Sequence, residues 1–480
     1  MITIIGGGPA GIAAALAAAR GGQSVLIIEG SPRLGGQYWR HLPEDGKERW
    51  IGQEELHDDF TKGYQLRVEV LKHPNIEVLF NTHVWHAELA GEEIILDLIQ
   101  GANTSQLATE ALILATGAYD RSLPFPGWDI PGVMTAGAAQ SLLKGSYIHA
   151  GKRVVVAGTG PFLMPVAFGL LSAGVEVVGL LEANRLSGWI PFAHIGLVNF
   201  SKVLAALKYT RYFSAQKLKF SRGYSVLRAN AGLDGVLHSV TVAKIDRNFK
   251  VKAATEREIL CDALAISWGF TPDMSVAGNL GVERDIDPDD GSVVVRVDDL
   301  QSTNVKRVFA AGESTGIGGH ELAMTEGEIA GIAATLALGI SLSGGDERGL
   351  KRLLKKRKAE RSFASALLRV YRVRTGWMGW LTPETLVCRC EEVSLGDIQN
   401  AVHALGSTNI RSTKLFTRAG MGMCQGRVCS RTVMEILSKE SEVTTKTDDQ
   451  ISAGKRAIVY PVSLGMIANP PSVEDSHHNQ

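Results

Sequence analysis

The sequence predicts an α/β chain with two sheet-based domains, one inserted in the other, and a small helical module after them. Three observations carry that expectation. Short Val/Ile-rich runs alternate with Ala/Leu-rich helical runs from residue 1 to about 345, the pattern of parallel sheets covered by helices. A strand–glycine–helix unit opens at Ile2 and recurs at Arg153, so the two domains are Rossmann-like, of the dinucleotide-binding type. Beyond residue 381 the alternation stops, and four of the five cysteines fall in one stretch.

Composition narrows the class. Fifty Lys and Arg balance fifty Asp and Glu, so no net field draws the chain to nucleic acid or an anionic membrane. Few cysteines in a long chain argue against a disulfide scaffold and for a reducing, cytoplasmic setting. The opening MITIIGGGPAG has no basic leader region.

The first unit, ITIIGGGPAGIAAALAAAR, sets Gly6, Gly8 and Gly11 between a strand and an Ala-rich helix. Gly6 permits the turn, Gly8 lets backbone approach a pyrophosphate, and Gly11 lets helix and strand pack closely. The helix N-terminus then favours the phosphates. Glu29 ends the next strand, where a carboxylate can accept ribose hydroxyl protons. Arg33-Leu34-Gly35-Gly36 forms a second glycine turn, and Ala115-Thr116-Gly117 and Gly312-Glu313 each follow an apolar strand.

This combination resembles the two-dinucleotide-binding-domain flavoproteins related to the pyridine nucleotide–disulfide oxidoreductases, over residues 1 to about 345. The resemblance implies FAD at the first turn, held by Gly6, Gly8, Gly11, Glu29, Gly36 and Glu313, with Ala115-Thr116-Gly117 as the crossover between domains. Glu313, after Gly312, stands where such proteins usually carry Asp. Expected boundaries are 1–120 with 265–345 for the FAD domain and 121–264 for the second domain.

The second unit, GKRVVVAGTGPFLMPVAFGLL, repeats the layout with Gly158 and Gly160, and Glu182 closes its next strand. Leu163 occupies the third glycine position, where its side chain should push helix and strand apart. In the relatives this domain delivers NAD(P)H to the flavin. Here the reading stays open between NAD(P), another adenine nucleotide and a retained fold that binds neither. The uncharged run 154–175 imitates a membrane span, but its prolines and glycines divide it into strand, turn and helix. The Trp- and Arg-containing insert at 183–222 reads as a lid or as cover for a partner interface.

No redox cysteine pair follows Gly36 or lies in TAGAAQSLL, and Cys261 reads as a buried strand residue. Electrons therefore have no dithiol outlet beside the flavin. His320 is read as a helix-start residue, and no catalytic acid or base is assigned. The basic stretch ERGLKRLLKKRKAER reads as a solvated helix in a connector at 346–381; it lacks the aromatic interleaving of a nucleic-acid binder.

The cysteine module, expected at 382–440, carries Cys388, Cys390, Cys424 and Cys429. A C-x-C pair is unusual for structural zinc, whereas four thiolates suit a 2Fe–2S cluster. Ser394 and Asp397 signal a helix start, Ile398, Ala401, Val402 and Leu405 its apolar stripe, and Gly406 its stop. SRTVMEIL starts a second helix after Cys429, and Arg389 and Arg427 can offset the cluster's charge. The segment resembles the bacterioferritin-associated-ferredoxin-like 2Fe–2S domain. A polar tail, 441–480, ending DSHHNQ and expected to be disordered, follows.

Taken whole, the chain resembles the alpha (A-type) subunits of opine oxidases, the B-type subunit of hydrogen cyanide synthase and the alpha subunits of dye-linked proline and hydroxyproline dehydrogenases. That resemblance implies a complex. A D-amino-acid-oxidase-like flavoprotein subunit would oxidise a C–N bond, and this chain would pass electrons to an acceptor. An FMN at the subunit interface and a small ferredoxin-like subunit are further implications. A free-standing NAD(P)H-dependent FAD/2Fe–2S oxidoreductase is the competing reading.

Overall fold

The computed structural model describes residues 1–43, 59–198, 200–341, 344–440 and 447–468. The tail, expected to be disordered, is instead held in place over 447–460 by hydrogen bonds to the body of the protein, and the final DSHHNQ lies outside the described residues.

Ile2–Ile5 is the central strand of the first sheet, parallel to Val25–Ile28 on one side and Ala111–Leu114 on the other. Ile76–Leu79 and Val308–Ala310 form the edges. Such strands read as continuous apolar runs because both faces are covered; Ile2, Ile4, Ile27, Leu112 and Ile113 are fully buried. The first helix, Pro9–Arg20, lies against His320–Ala337. Gly327 and Gly331 allow this close approach, since a side-chain carbon there would stand 2.1 and 2.3 Å from the Ala10 and Ala14 carbonyl oxygens.

The second sheet is the same device built again. Arg153–Gly158 is flanked by Glu176–Glu182 and Ala263–Ser267, with Phe220–Arg222 and Val133–Thr135 outside, all parallel. Each domain also carries a three-stranded antiparallel sheet: 82–109 in the first and 224–260 in the second. The chain crosses between domains through the antiparallel pair Ala118–Asp120 and Phe270–Pro272. The second domain is thus inserted in the first, as the sequence predicted.

One expectation is corrected by packing. The basic helix runs Gly344–Val370, and it is not merely a solvated connector. Arg357 and Arg361, one turn apart, reach the fully buried Glu326 at 3.2 and 2.5 Å. Further on, Arg369 pairs with Asp289 at 2.5 Å. The cysteine module, for its part, packs into the core of the second domain. Val387, Cys388, Ile398, Cys429, Val433 and Leu437 share one buried core with Trp128, Val226, Phe249 and Trp268 of the second domain, through Trp377 and Trp380. Trp128 and Trp380 donate their indole N–H to the carbonyls of Leu386 and Phe249 at 2.7 and 3.0 Å.

Candidate functional site

In the first glycine turn, a side-chain carbon at Gly11 would fall 1.8 Å from the Gly6 carbonyl oxygen. Only glycine lets that helix sit so close to its strand. Gly8 and Gly36 face each other: a carbon on Gly36 would stand 2.9 Å from Gly8 Cα, whereas one on Gly8 meets nothing nearer than 3.8 Å. The space over Gly8 is therefore a backbone-walled cradle suited to a pyrophosphate. The helix starts directly at Pro9, and Ile12 N–H donates to Gly8 O at 2.9 Å. Glu29 is buried and accepts from Gly7 N–H (2.7 Å), Ser31 N–H (2.8 Å) and Ser31 Oγ (2.6 Å). The carboxylate is thereby fixed at the strand end, poised for a ribose.

The distant motifs converge on this cradle. Ala115 N–H donates to Ile5 O, and its own carbonyl is what forbids a side chain at Gly6. Gly312 contacts Ala10 and Ala323. Glu313 accepts from Gly319 N–H at 2.7 Å, and burial raises its carboxyl's pKa; its role in this structure is to hold the 318–319 turn. The acid that binds the 312–315 segment is one that sequence reading missed. Glu326 accepts from Gly312 N–H (3.1 Å) and Thr315 Oγ1 (2.8 Å). The only sequence hint was the spacing of Arg357 and Arg361, which needed a buried acid to face. His320 starts its helix as expected, stacked on Tyr38 at 3.7 Å.

The second turn is built differently. Gly158 repeats the close contact, 1.8 Å from Ser267 O, and the space at Gly160 is open. Leu163 is fully buried among Val154, Val156 and Val166. It is accommodated because the helix begins only at Leu163, after a turn at 161–162. Glu182, buried, accepts from Gly160 N–H and Asn184 N–H, both at 2.8 Å, and burial pushes its carboxyl up to about 7. Thr159, in the position of Gly7, donates to Tyr371 O at 3.2 Å and accepts from Asn184 Nδ2 at 2.6 Å.

The four predicted cysteines come together. Cys390 Sγ lies 4.0 Å from Cys388 Sγ and 3.7 Å from Cys424 Sγ, close to the ~3.8 Å between two sulfurs on one tetrahedral metal at ~2.3 Å each. The neighbouring Cys429 thiol draws that of Cys388 down to about 5, and Cys388 in turn drives that of Cys429 well above the ordinary range. Four cysteine sulfurs in one loop cluster are a donor set that fits a 2Fe–2S cluster.

Local signals around the cysteines mostly hold. Ser394 and Asp397 form a reciprocal capping box on Leu395–His403, and Ser430–Glu440 is the helix after Cys429. Leu405 is exposed, because the helix ends before it. Arg389 does not offset the cluster: its guanidinium lies over Trp128, 5.1 Å from the ring centre. Arg427 does face it, donating to Cys424 O at 3.4 Å. Cys261 is buried, and burial raises its thiol to about 12, leaving it inert.

Flavin-type turn and cysteines are joined by a short relay. Thr116 Oγ1 donates to Asp273 O and Asp273 N–H to Gly117 O, both at 3.0 Å. Asp273 Oδ1 accepts from Ser275 N–H at 2.9 Å, and Ser275 Oγ accepts from Arg427 Nη2 at 2.8 Å. Arg427 then reaches Cys424.

Comparison with known proteins agrees with this geometry. Residues 1–328 match the family "Pyridine nucleotide-disulphide oxidoreductase", and residues 386–439 match "BFD-like [2Fe-2S] binding domain". The A-type subunit of opine oxidase from Rhizobium meliloti is 31% identical, over 98% of this chain and 87% of that protein. The HcnB subunit of hydrogen cyanide synthase from Pseudomonas protegens is 34% identical, over 89% of each. The crystal structure of L-proline dehydrogenase from P. horikoshii superposes with a TM-score of 0.69 at 21% identity, covering 98% of this chain and 79% of that one, and shows the shared fold. Among the described residues no helix is long and apolar enough to cross a membrane. The chain belongs to the pyridine nucleotide-disulphide oxidoreductase family, alongside the A-type opine oxidase subunits and HcnB, as an FAD-dependent oxidoreductase with a BFD-like 2Fe–2S domain.

Proposed function

We propose that this chain is the electron-transfer subunit of a multi-subunit amine or imino-acid dehydrogenase or oxidase of the opine, proline or hydroxyproline type. The observation that carries it is the relay from Thr116–Gly117 to Cys424. FAD accepts electron pairs and releases single electrons, and a 2Fe–2S cluster takes one at a time.

This chain's residues bind, orient and insulate. Gly6, Gly8, Gly11 and Gly36 shape the pyrophosphate cradle, Glu29 takes the ribose, and Gly312 closes the cradle's far side against Ala10. Ala115, Thr116 and Gly117 hold the crossover beside Asp273. Cys388, Cys390, Cys424 and Cys429 ligate the cluster. Oxidation of the C–N bond falls to a D-amino-acid-oxidase-like partner subunit, with FMN at the interface. Exposed Cys390 lies among exposed Met421, Met423 and Val428, and the 183–222 insert exposes Leu186, Ile190, Leu204 and Leu207. Both surfaces suit a partner. NAD(P) at the Gly158–Gly160 turn would favour the free-standing reductase, but the late helix start and the Tyr371 contact on Thr159 argue against it.

The test is coexpression with the D-amino-acid-oxidase-like subunit. The complex should reduce an artificial dye with an opine or imino acid, and the isolated chain should not. Equal substrate-dependent rates for the chain alone would place the catalytic site here and overturn the reading. C390S should abolish iron and leave FAD bound; stoichiometric zinc in place of iron would remove the cluster.

A further inference from the structure

The segment expected to be a tail is instead a strap over 447–460. Gln450 Nε2 donates to Gly291 O at 2.9 Å, and Asn279 Nδ2 donates to Arg456 O at 2.5 Å. Val459 is buried, and its N–H donates to Trp85 O at 2.8 Å. Tyr460 stacks on His83 with ring centres 3.8 Å apart. These partners all belong to the FAD-type domain. From the same strap, Arg456 Nε donates to Gln425 O at 3.1 Å, and Val459 O accepts from Arg427 Nη2 at 2.5 Å. The strap therefore touches the flavin domain with one side and the cysteine loop with the other.

Its two contacts on the loop are charged, and they sit beside a ligand. Gln425 follows Cys424 and holds a left-handed backbone, φ 51°, unusual for a side-chain-bearing residue. Arg456 fastens the carbonyl of that residue. Burial lowers the pKa of Arg456, and the like charge of Arg427 lowers it further. Among the described residues neither guanidinium has a carboxylate within 4.0 Å. Two crowded guanidiniums held against a cysteine loop are what an anionic centre would stabilise.

We propose that the 447–460 strap clamps the cysteine module to the FAD-type domain, and that Arg456 is a positioning residue whose charge raises the cluster's reduction potential. This rests on the reading of Cys388, Cys390, Cys424 and Cys429 as 2Fe–2S ligands. Reduction adds negative charge to a centre that is already anionic, so a nearby cation favours the reduced state.

The test uses full-length protein and EPR-monitored redox titration. R456Q should keep its iron and shift the reduction equilibrium about tenfold toward oxidised, which is about 59 mV for one electron. R456K, which keeps the charge, should stay within about threefold of the parent. An unchanged midpoint in iron-replete R456Q overturns the electrostatic role, and loss of iron from both variants reduces Arg456 to a structural contact. The clamp is read separately, by hydrogen exchange in protein truncated after residue 446. Faster exchange over 420–430 supports it, and unchanged protection overturns it. Because the exchange arm can be read without iron, a parent chain lacking the cluster would defeat the ligand assignment without deciding the clamp.

Discussion

The two glycine turns, Gly6 to Gly11 and Gly158 to Leu163, start from one plan and end as different sites. Each follows the central strand of a five-stranded parallel sheet, and each has an acid closing the neighbouring strand. At the first turn the helix starts at once, against the Gly6 carbonyl, and its N-terminus stays beside the open cradle. At the second, with leucine in place of glycine, the helix begins two residues later, at Leu163 and not at Pro161. The orphan N–H groups and the positive end of the dipole move with it, which weakens the anion site. Meanwhile Thr159 is engaged by Tyr371 from the end of the basic helix. A retained fold need not retain a ligand, and the third glycine position is where the two copies part.

The sharpest way to break that difference is to spoil the first turn. G8V should yield folded protein without FAD, because valine would project into space bounded only by Gly36 Cα at 3.8 Å. G11L, which imports the second turn's residue, should fail to fold, since its Cβ would meet Gly6 O. Flavin absorbance and circular dichroism distinguish the two outcomes. Full FAD occupancy in G8V would mean that the cradle lies elsewhere.

In the second turn, L163A should cost about 3 kcal/mol by opening a cavity in a fully buried position, yet leave the FAD content unchanged. Denaturant unfolding followed at the flavin and at the backbone checks both halves. A near-zero cost would show that Leu163 is not the reason the helix starts late. NADH should likewise reduce the flavin slowly or not at all in anaerobic stopped flow. Rapid, saturable bleaching would restore the second turn as a nicotinamide site.

What could be read from sequence was what lies close together in it. Gly6, Gly8 and Gly11 with Glu29, the Ser394–Asp397 box and the paired C-x-C and C-x₄-C spacings all act over a few turns of chain. The rest depends on partners chosen by tertiary packing. Glu326 gives no sign in its own helix that Arg357 and Arg361 will neutralise it. Arg121 is buried against Glu435, 314 residues away, at 2.7 Å. Leu405 satisfied an apolar period that the helix did not last long enough to use, and Arg389 found an indole face more favourable than the thiolates. The strap residues 456–460, Arg-Ala-Ile-Val-Tyr, are mostly apolar, yet nothing in them names their partners, because Trp85, Asn279 and Gln425 meet the strap through backbone carbonyls and one amide.

The smallest expected effect tests the acids of the two turns. Both accept backbone N–H bonds, but burial pushes Glu182 up to about 7 from an ordinary 4.5. A raised carboxyl binds its proton more tightly folded than unfolded. Glu182 therefore supports the fold fully below about pH 4.5, and that support is lost as pH rises through about 7. Between pH 5 and 8 the loss should be roughly 2 kcal/mol at this one position. E182Q cannot titrate, so the stability difference between parent and variant should move in the variant's favour by that amount over the same range. Denaturant midpoints at pH 5 and pH 8 measure it, with every other titrating group cancelling in the difference. An equal parent–variant difference at both pH values would mean that Glu182 is charged throughout, paired well enough with its N–H donors and Arg222 to overcome its burial. Leu163 and the Thr159–Tyr371 contact would then be what separates the two sites.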